Sequence, residues 1–352
     1  MFLRNAWYAA AWETELGEAP LGRTFLNDPV VLFRTADAVV ALEDRCCHRH
    51  LPLSLGRVAG DNIQCGYHGL EFDASGACVK VPGQTRIPPG AQIRSYPVAR
   101  RYGLVWIWPG DPAKADEALL PDWWWCEDPG WKLTSGRDGT PMYVKANYLL
   151  ISDNLFDVAH LTYVHSSSIG NESIVDFPSR TERTERRVKM TRIIPDRPPA
   201  PFWKKAGGFE GNVDRWAITT SDLPCYIVND AGTVERGTPV TPGELDEANG
   251  VEMKVMSLPT PETETTTHYF YAHCRHFKVD SPEWDEIYRT QFTSVFEEDR
   301  EVLNAQQARM SSMPDAPEID INSDAPNIQL RRMLDELIAK EQADTGSYRR
   351  SA

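Results

Sequence analysis

The sequence lacks the features of a membrane-spanning or secreted protein. No apolar run approaches the roughly 18 residues that a bilayer-spanning helix needs. Residues 1–8 contain neither a basic stretch nor an unbroken apolar stretch, so we expect no signal peptide. The seven cysteines include one adjacent pair and are otherwise scattered, which is not the spacing of a disulfide framework. These absences favour a cytoplasmic location, where cysteines stay reduced.

Positive charge is also scarce. Lysine and arginine total 37, aspartate and glutamate total 51, and the formal net charge is −14. A protein whose main partner is nucleic acid needs a basic surface, so this balance argues against that class. The length of 352 residues favours roughly two domains, and 41% apolar residues is enough for real cores.

The two parts of the chain differ in pattern. The first part has short strand-like runs separated by turn-forming residues, at 29–33, 38–42, 69–73 and 103–108. The second part combines strand-like runs with helical patterns, the strands at 216–220 and 268–272 and the helices at 147–165, 284–307 and 327–342. We therefore predict an α+β protein with an all-β domain over residues 1–125 and an α+β domain over residues 126–352.

Four side chains of metal-ligand type lie in two loops of the first part. Cys46 and His48 form one pair, and Cys65 and His68 form the other, after a gap of sixteen residues (49–64). Two cysteines and two histidines are the ligands of a Rieske [2Fe-2S] cluster, in which histidines replace the cysteines on one iron. A zinc site can use the same residues, but zinc knuckles usually pair Cys with Cys and His with His. The mixed pairs favour the Rieske cluster.

A second set of ligand-type side chains lies in the helical pattern at 147–165. Asp157 and His160 are three residues apart and project from one helical face, whereas His165 lies about 140° further round an ideal helix. Both histidines reach one ion only if the helix ends or is distorted between them. Two histidines and one carboxylate leave open positions on an iron(II) for dioxygen and a substrate. The later helical segment offers further carboxylates at Glu297, Glu298 and Asp299.

Each of these groups has a simpler interpretation when taken alone. Isolated histidines such as His160 and His165 are more often hydrogen-bonded core residues, and a run of acids is usually a solvated helix face. A Rieske cluster transfers single electrons, however, so a chain that holds one needs an electron acceptor. A second metal in the same chain meets that need. The alternative is a non-catalytic electron carrier with the cluster and no second metal.

The chain resembles the oxygenase components of Rieske non-heme iron oxygenases, in particular the vanillate O-demethylase (vanillate monooxygenase) type. The similarity runs over nearly the whole chain and is carried by Arg4-Asn5-Ala6-Trp7-Tyr8, Cys46-Cys47-His48-Arg49, Cys65-Gly66-Tyr67-His68-Gly69-Leu70, Leu104-Val105-Trp106-Ile107-Trp108, Asn147-Tyr148, Asp153-Asn154-Leu155-Phe156-Asp157, His160, Tyr163-Val164-His165 and Glu298-Asp299. These motifs are specific for the family and say little about the substrate.

The resemblance implies a fold and a cluster. It implies an N-terminal all-β Rieske [2Fe-2S] domain, followed by a C-terminal α+β catalytic domain. That second domain would have an antiparallel sheet with flanking helices, of the helix-grip (START-like) type. Cys46 and Cys65 would bind one iron of the cluster, and His48 and His68 the other.

The resemblance also implies a mononuclear iron(II) held by His160, His165 and Asp299. Asp157 would link a Rieske histidine of one subunit to an iron-ligating histidine of the next. Such a link implies a head-to-tail ring of subunits, usually a trimer, and cyclic closure is the rule for contacts of this kind. Asn154 matches a family position near the iron.

The implied activity is monooxygenation with dioxygen. A separate reductase of the flavin or ferredoxin type would take electrons from NADH and pass them to the cluster. The methoxy carbon of a vanillate-like aromatic acid would be hydroxylated, and the product would collapse to a phenol and formaldehyde. Alternative substrates are an aryl methyl group beside a sulfonate and a halogenated methoxybenzoate. Arg215 and His268 are the candidates for contacting the substrate, although an acid next to Arg215 or sheet neighbours of His268 would equally explain them.

Overall fold

The structure, a computed structural model, describes residues 1–136, 139–165, 176–239, 242, 245 and 249–350. The chain forms two compact units. The first consists of Met1–Leu120 with Thr260–Glu264, and the second of Pro121–Pro259 with Thr265–Ala352.

The first unit contains three antiparallel sheets. Their strands are β1 (Tyr8–Trp12), β2 (Leu21–Phe25), β3 (Asp28–Arg34), β4 (Val39–Glu43), β5 (Arg57–Ala59), β6 (Asn62–Gln64), β7 (Glu71–Phe72), β8 (Cys78–Lys80), β9 (Ser95–Tyr96), β10 (Val98–Arg101) and β11 (Leu104–Ile107). The sheets have the strand orders β1-β11-β10, β2-β3-β4-β9 and β5-β6-β7-β8. The four predicted strand-like runs lie at β3, β4, β7 and β11, so the all-β character of this unit is confirmed.

The core of the first unit carries two of the predicted cluster ligands. Cys46 and Cys65 pack among buried apolar side chains, which include Val31, Phe33, Leu42, Ile63 and Phe72. The sheets β2-β3-β4-β9 and β5-β6-β7-β8 supply these side chains and thereby hold both cysteines in place.

The second unit is built on one large antiparallel sheet. Its strands are β12 (Lys132–Ser135), β13 (Met142–Val144), β14 (Ser179–Arg183), β15 (Arg187–Arg197), β16 (Val213–Asp222), β17 (Tyr226–Glu235), β18 (Val251–Thr263) and β19 (Thr266–Arg275). In the described residues the order is β12-β19-β18-β17-β16-β15-β14, and β13 also pairs with β19. Both predicted strand-like runs of this part lie inside strands, at β16 and β19.

Helices cover one face of this sheet. The described α-helices are α1 (Tyr148–Phe156), α2 (Pro201–Gly207), α3 (Pro282–Ile287), α4 (Thr293–Ser312) and α5 (Ala325–Arg350). A π-helical turn, Tyr288–Phe292, joins α3 to α4, and a 3-10 helix, Val158–Thr162, follows α1. Ile151, Trp203 and Phe296 of three helices share one core with Val213 and Met253 of the sheet. The predicted α+β unit of an antiparallel sheet and flanking helices is confirmed.

The last helix packs on the body of the second unit. The predicted helix at 327–342 lies within α5, and Leu330, Met333 and Leu334 of α5 are buried against Val188 and Met190 of β15. None of the helices in the described part of the chain has both the length and the apolar composition that crossing a bilayer requires.

Candidate metal centres and substrate cavity

The two cysteine–histidine loops have the same hydrogen-bond pattern. The Cys46 N–H donates to the carbonyl of Leu51, and the N–H of His50 donates back to the carbonyl of Cys46. The Cys65 N–H donates to Leu70 in the same way, and the N–H of Gly69 donates to Cys65. In each loop the fourth residue after the cysteine has a positive φ, 61° at His50 and 72° at Gly69. The loops are therefore two copies of one tight turn, and each presents a cysteine and a histidine.

These loops place sulfur inside the unit and imidazole outside. Cys46 and Cys65 are buried, whereas His48 and His68 are exposed with their ring centroids 4.6 Å apart. Burial raises the pKa of the Cys46 thiol to about 11, and a hydrogen bond with the Cys65 thiol adds to the shift. Two adjacent thiols and two adjacent imidazoles fit the ligand set of a Rieske cluster.

The second ligand set follows a break in the helix at Asp157. The helix α1 ends at Phe156, and Asp157 leaves the helical conformation with φ −88° and ψ 77°. The carboxylate of Asp157 accepts a hydrogen bond from the Ala159 N–H at 3.0 Å and so caps the 3-10 helix that contains His160. This 3-10 helix ends at Thr162, before His165. The distortion that the sequence requires between the two histidines is therefore present.

His160, His165 and Asp299 come together, with one ligand atom of each lying within 4.8 Å of the others. The Nε2 atoms of His160 and His165 lie 3.5 and 3.0 Å from Oδ1 of Asp299 on α4. Asn154 of α1 donates a hydrogen bond of 3.0 Å to the same oxygen. Two imidazoles and one carboxylate that face a common point are the donor set of a non-heme iron(II) site.

Hydrogen bonds to the far side of each ring orient the two histidines. The Nδ1 of His160 lies 2.5 Å from the carbonyl oxygen of Asp157, and the Nδ1 of His165 lies 2.6 Å from Oε2 of Glu298. Each Nδ1 can therefore keep the proton, which leaves Nε2 free to bind metal. Burial lowers the pKa of His165, but Asp299 and Glu298 together outweigh burial and raise that pKa overall. The surroundings of His165 thus favour positive charge, as a cation site requires.

Glu298 is a positioning residue, whereas the sequence offered it only as one of three carboxylates that could bind the metal. We expect Glu298→Gln to weaken iron(II) binding about 10- to 100-fold, because an amide orients the His165 ring less strongly than a carboxylate does. Titration of the metal-free second site with iron(II) measures this effect. Glu301→Gln, an exposed acid of the same helix, is the control. Equal iron affinity in the two variants would contradict this role of Glu298.

An apolar cavity opens beside this ligand set. Its volume is about 140 Å³, close to the roughly 150 Å³ of apolar cavities that bind a single benzene ring. His160, His165 and Asp299 line one part of it, and Trp203 and Phe292 are among the aromatic side chains that line the rest. The cavity therefore fits a ligand with one aromatic ring next to the ligand set.

The two substrate candidates lie in different places. Arg215 of β16 lines the cavity, whereas His268 of β19 is absent from the described cavity lining. Neighbouring residues in a strand point to opposite faces, and Tyr269 packs in the helix-covered core. His268 therefore points to the other face, where its ring lies 5.9 Å from that of Tyr143.

Both the N-terminal and the C-terminal part of the chain match known protein families. Residues 6–97 match the Rieske [2Fe-2S] domain, and residues 144–340 match the vanillate O-demethylase oxygenase C-terminal domain. The iron-sulfur subunit of the toluene-4-sulfonate monooxygenase system of Comamonas testosteroni is 41% identical over 98% of this chain and 99% of its own. The vanillate O-demethylase oxygenase subunit of a Pseudomonas species is 36% identical, with all of both chains covered.

A solved structure is similar over the same length. Dicamba monooxygenase bound to 3,6-dichlorosalicylic acid has a TM-score of 0.88 and 33% identity, and the match covers 98% of this chain and 99% of that one. Another structure of dicamba monooxygenase contains non-heme iron. The cofactors of this chain are accordingly a Rieske [2Fe-2S] cluster and a mononuclear iron. The chain belongs to the vanillate O-demethylase family of Rieske non-heme iron monooxygenases, as an oxygenase component.

Proposed function

We propose that this oxygenase oxidises a small aromatic acid with one ring, and that it does so beside His160, His165 and Asp299. One observation carries the proposal: these three side chains line an apolar cavity of single-ring size. The first candidate reaction is O-demethylation of a methoxylated aromatic acid. In that reaction the substrate, O2, two electrons and two protons give a phenol, formaldehyde and water.

The side chains have separate roles in this proposal. Cys46, Cys65, His48 and His68 hold the cluster, and His160, His165 and Asp299 hold the iron. When bound, these groups supply single electrons and the activation of dioxygen. Asn154 keeps the Asp299 carboxylate in place through its 3.0 Å hydrogen bond. The apolar walls exclude water and hold the ring beside the iron ligands.

A second candidate reaction is hydroxylation of an aryl methyl group next to a sulfonate. Two subunits of Comamonas testosteroni that are named for toluene-4-sulfonate, one of them as putative, are 41% and 42% identical to this chain. The two subunits named for vanillate are 36% and 35% identical. The substrates of both candidate reactions are single-ring acids with an oxidisable methyl carbon, so both fit the same cavity.

Two kinds of partner belong to the proposal. Oxygenase components of this family work with a reductase, and we infer a flavin or ferredoxin type that uses NADH. We also infer a homotrimer, in which Asp157 of one subunit lies next to a Rieske histidine of its neighbour. Sedimentation of the holoenzyme tests the trimer.

A substrate screen tests the reaction. With a surrogate reductase, NADH and O2, the holoenzyme is expected to release formaldehyde in proportion to NADH from one of a set of methoxylated benzoates. A hydroxymethyl product from an aryl sulfonate, without formaldehyde from any methoxybenzoate, would instead establish the second candidate.

Metal analysis separates an oxygenase from an electron carrier. The oxygenase predicts about three irons and two acid-labile sulfides per chain, and a carrier about two of each. Full cluster content without a third iron in the reconstituted protein would overturn the proposed function.

A further inference from the structure

The guanidinium of Arg215 is buried at the cavity. Arg215 is only 8% exposed, it lines the cavity, and in the described part of the chain its Nε and Nη1 groups have no hydrogen-bond partner. Its guanidinium carbon lies 5.7 Å from the centroid of the Trp203 ring. An unpaired buried charge is strongly destabilising, and an aromatic ring offsets only part of that cost.

The acids of the cavity lining are already engaged. Asp299 accepts from Asn154 and lies against His165. Asp230 accepts from the Trp216 indole at 2.8 Å and pairs with Lys254. Neither carboxylate among these described lining residues is therefore left to neutralise Arg215.

The strand around Arg215 leaves it accessible from the cavity. Arg215 and Ala217 lie on the same face of β16, and Ala217 pairs with Ala231 of β17. Both alanines line the cavity, and their short side chains occupy little of it. Burial lowers the pKa of Arg215 to about 10, so the side chain still carries its charge at neutral pH.

We propose that Arg215 binds the anionic group of the aromatic substrate, a carboxylate or a sulfonate, and so selects aromatic acids over neutral aromatics. The guanidinium fork matches either anion with two parallel hydrogen bonds. The proposal rests on the proposed function, since it names the residue that recognises the acid of that substrate. It also explains why, among the described residues, an otherwise apolar cavity with aromatic walls contains one cation that has no hydrogen-bond partner.

Equilibrium binding to the holoenzyme tests the proposal without turnover. The probes are 4-methoxybenzoate and toluene-4-sulfonate, each compared with its neutral amide under anaerobic conditions by calorimetry. We expect the wild type to bind at least one anion more tightly than its amide. Arg215→Met should weaken the binding of that anion roughly 10- to 100-fold and leave the binding of the amide unchanged. Arg215→Lys, which keeps the charge, should recover part of the loss.

Two controls separate recognition from a structural role. Arg187→Met removes the same charge at an exposed site paired with Asp222, and should not change binding. The ligand-free Arg215→Met protein should melt at a higher temperature than the wild type, because an unpaired buried charge is gone.

Several results would overturn the proposal. One is a wild type that holds neither anion more tightly than its amide. Another is an Arg215→Met protein in which the binding of the anion and of the amide is weakened equally, or in which neither is weakened. Turnover is measured separately with the surrogate reductase. Anion binding that depends on Arg215, but yields no oxidised product, would leave this proposal in place and overturn the proposed function.

Discussion

His160→Ala is expected to remove the mononuclear iron, leave the Rieske cluster intact and lower turnover by about a thousandfold or more. In the proposed site His160 is one of three protein ligands, and its Nε2 faces the same oxygen of Asp299 as that of His165. Two remaining ligands do not hold iron(II) in the open three-ligand geometry that leaves room for dioxygen and substrate. The cluster lies in the other unit and shares no ligand with this site.

Metal content and spectroscopy check this prediction. The purified variant should contain about two irons and two labile sulfides per chain, against three and two in the wild type. Its reduced cluster should keep the wild-type electron paramagnetic resonance signal. His276→Ala is the control, since His276 is a buried histidine outside the proposed ligand set and packs against Trp131 at 5.2 Å. A third iron retained in His160→Ala, or lost in His276→Ala as well, would contradict the ligand assignment.

The two clusters of ligand-type side chains could be predicted because metal chemistry constrains both residue type and spacing. The mixed pairs at 46–48 and 65–68 exclude most zinc knuckles, and the structure places each pair in a turn with the same backbone hydrogen bonds. The five-residue interval from His160 to His165 required a break in the helix between them, and the 3-10 helix that contains His160 ends at Thr162, before His165. Strands were predictable for the same kind of reason, since their runs are short, apolar and separated by turn-forming residues.

The substrate contacts were harder to predict, and the reason lies in the sheet. Alternation along a strand predicts that neighbours face opposite sides, but not which side carries the helices. Nearly every residue of β19 is buried, so burial of both faces hides the difference between His268 and Tyr269. The segment Thr260–Glu264, which includes the end of the long strand β18, belongs to the first unit. The sequence does not predict this either, because no change in composition marks the segment. Long-range packing decides both features.

Asp157→Asn is expected to keep both metal sites and the proposed trimer, yet to lower turnover by about a hundredfold or more. The local structure explains why the fold should tolerate the change. One carboxylate oxygen of Asp157 caps the 3-10 helix through the Ala159 N–H, and asparagine caps helices about as well as aspartate does. The backbone carbonyl of Asp157, which orients His160, is unchanged. What is lost is the negative charge, which is proposed to face the neighbouring Rieske histidine and which also interacts favourably with the buried Arg192.

A single-turnover experiment measures this prediction. The cluster is reduced, substrate and oxygen are added, and reoxidation is followed by absorbance; in Asp157→Asn it should be slowed as much as turnover is. Asp111→Asn is the matched control, because Asp111 caps a 3-10 helix in the same way, through the Ala113 N–H at 3.0 Å. Wild-type reoxidation in Asp157→Asn would rule out the bridge.

Mixed assemblies test whether electrons cross between subunits. A His48→Ala subunit lacks the cluster but keeps the iron site, and a His160→Ala subunit has the reverse defect. Each homotrimer should be inactive. In trimers co-assembled from equal amounts, about a quarter of the junctions place an intact cluster next to an intact iron site of the neighbour, because heterologous contacts repeat round a closed ring. Transfer between subunits therefore predicts recovery of a comparable fraction of wild-type activity. Transfer within one subunit predicts none, since no single chain in the mixture carries both metals.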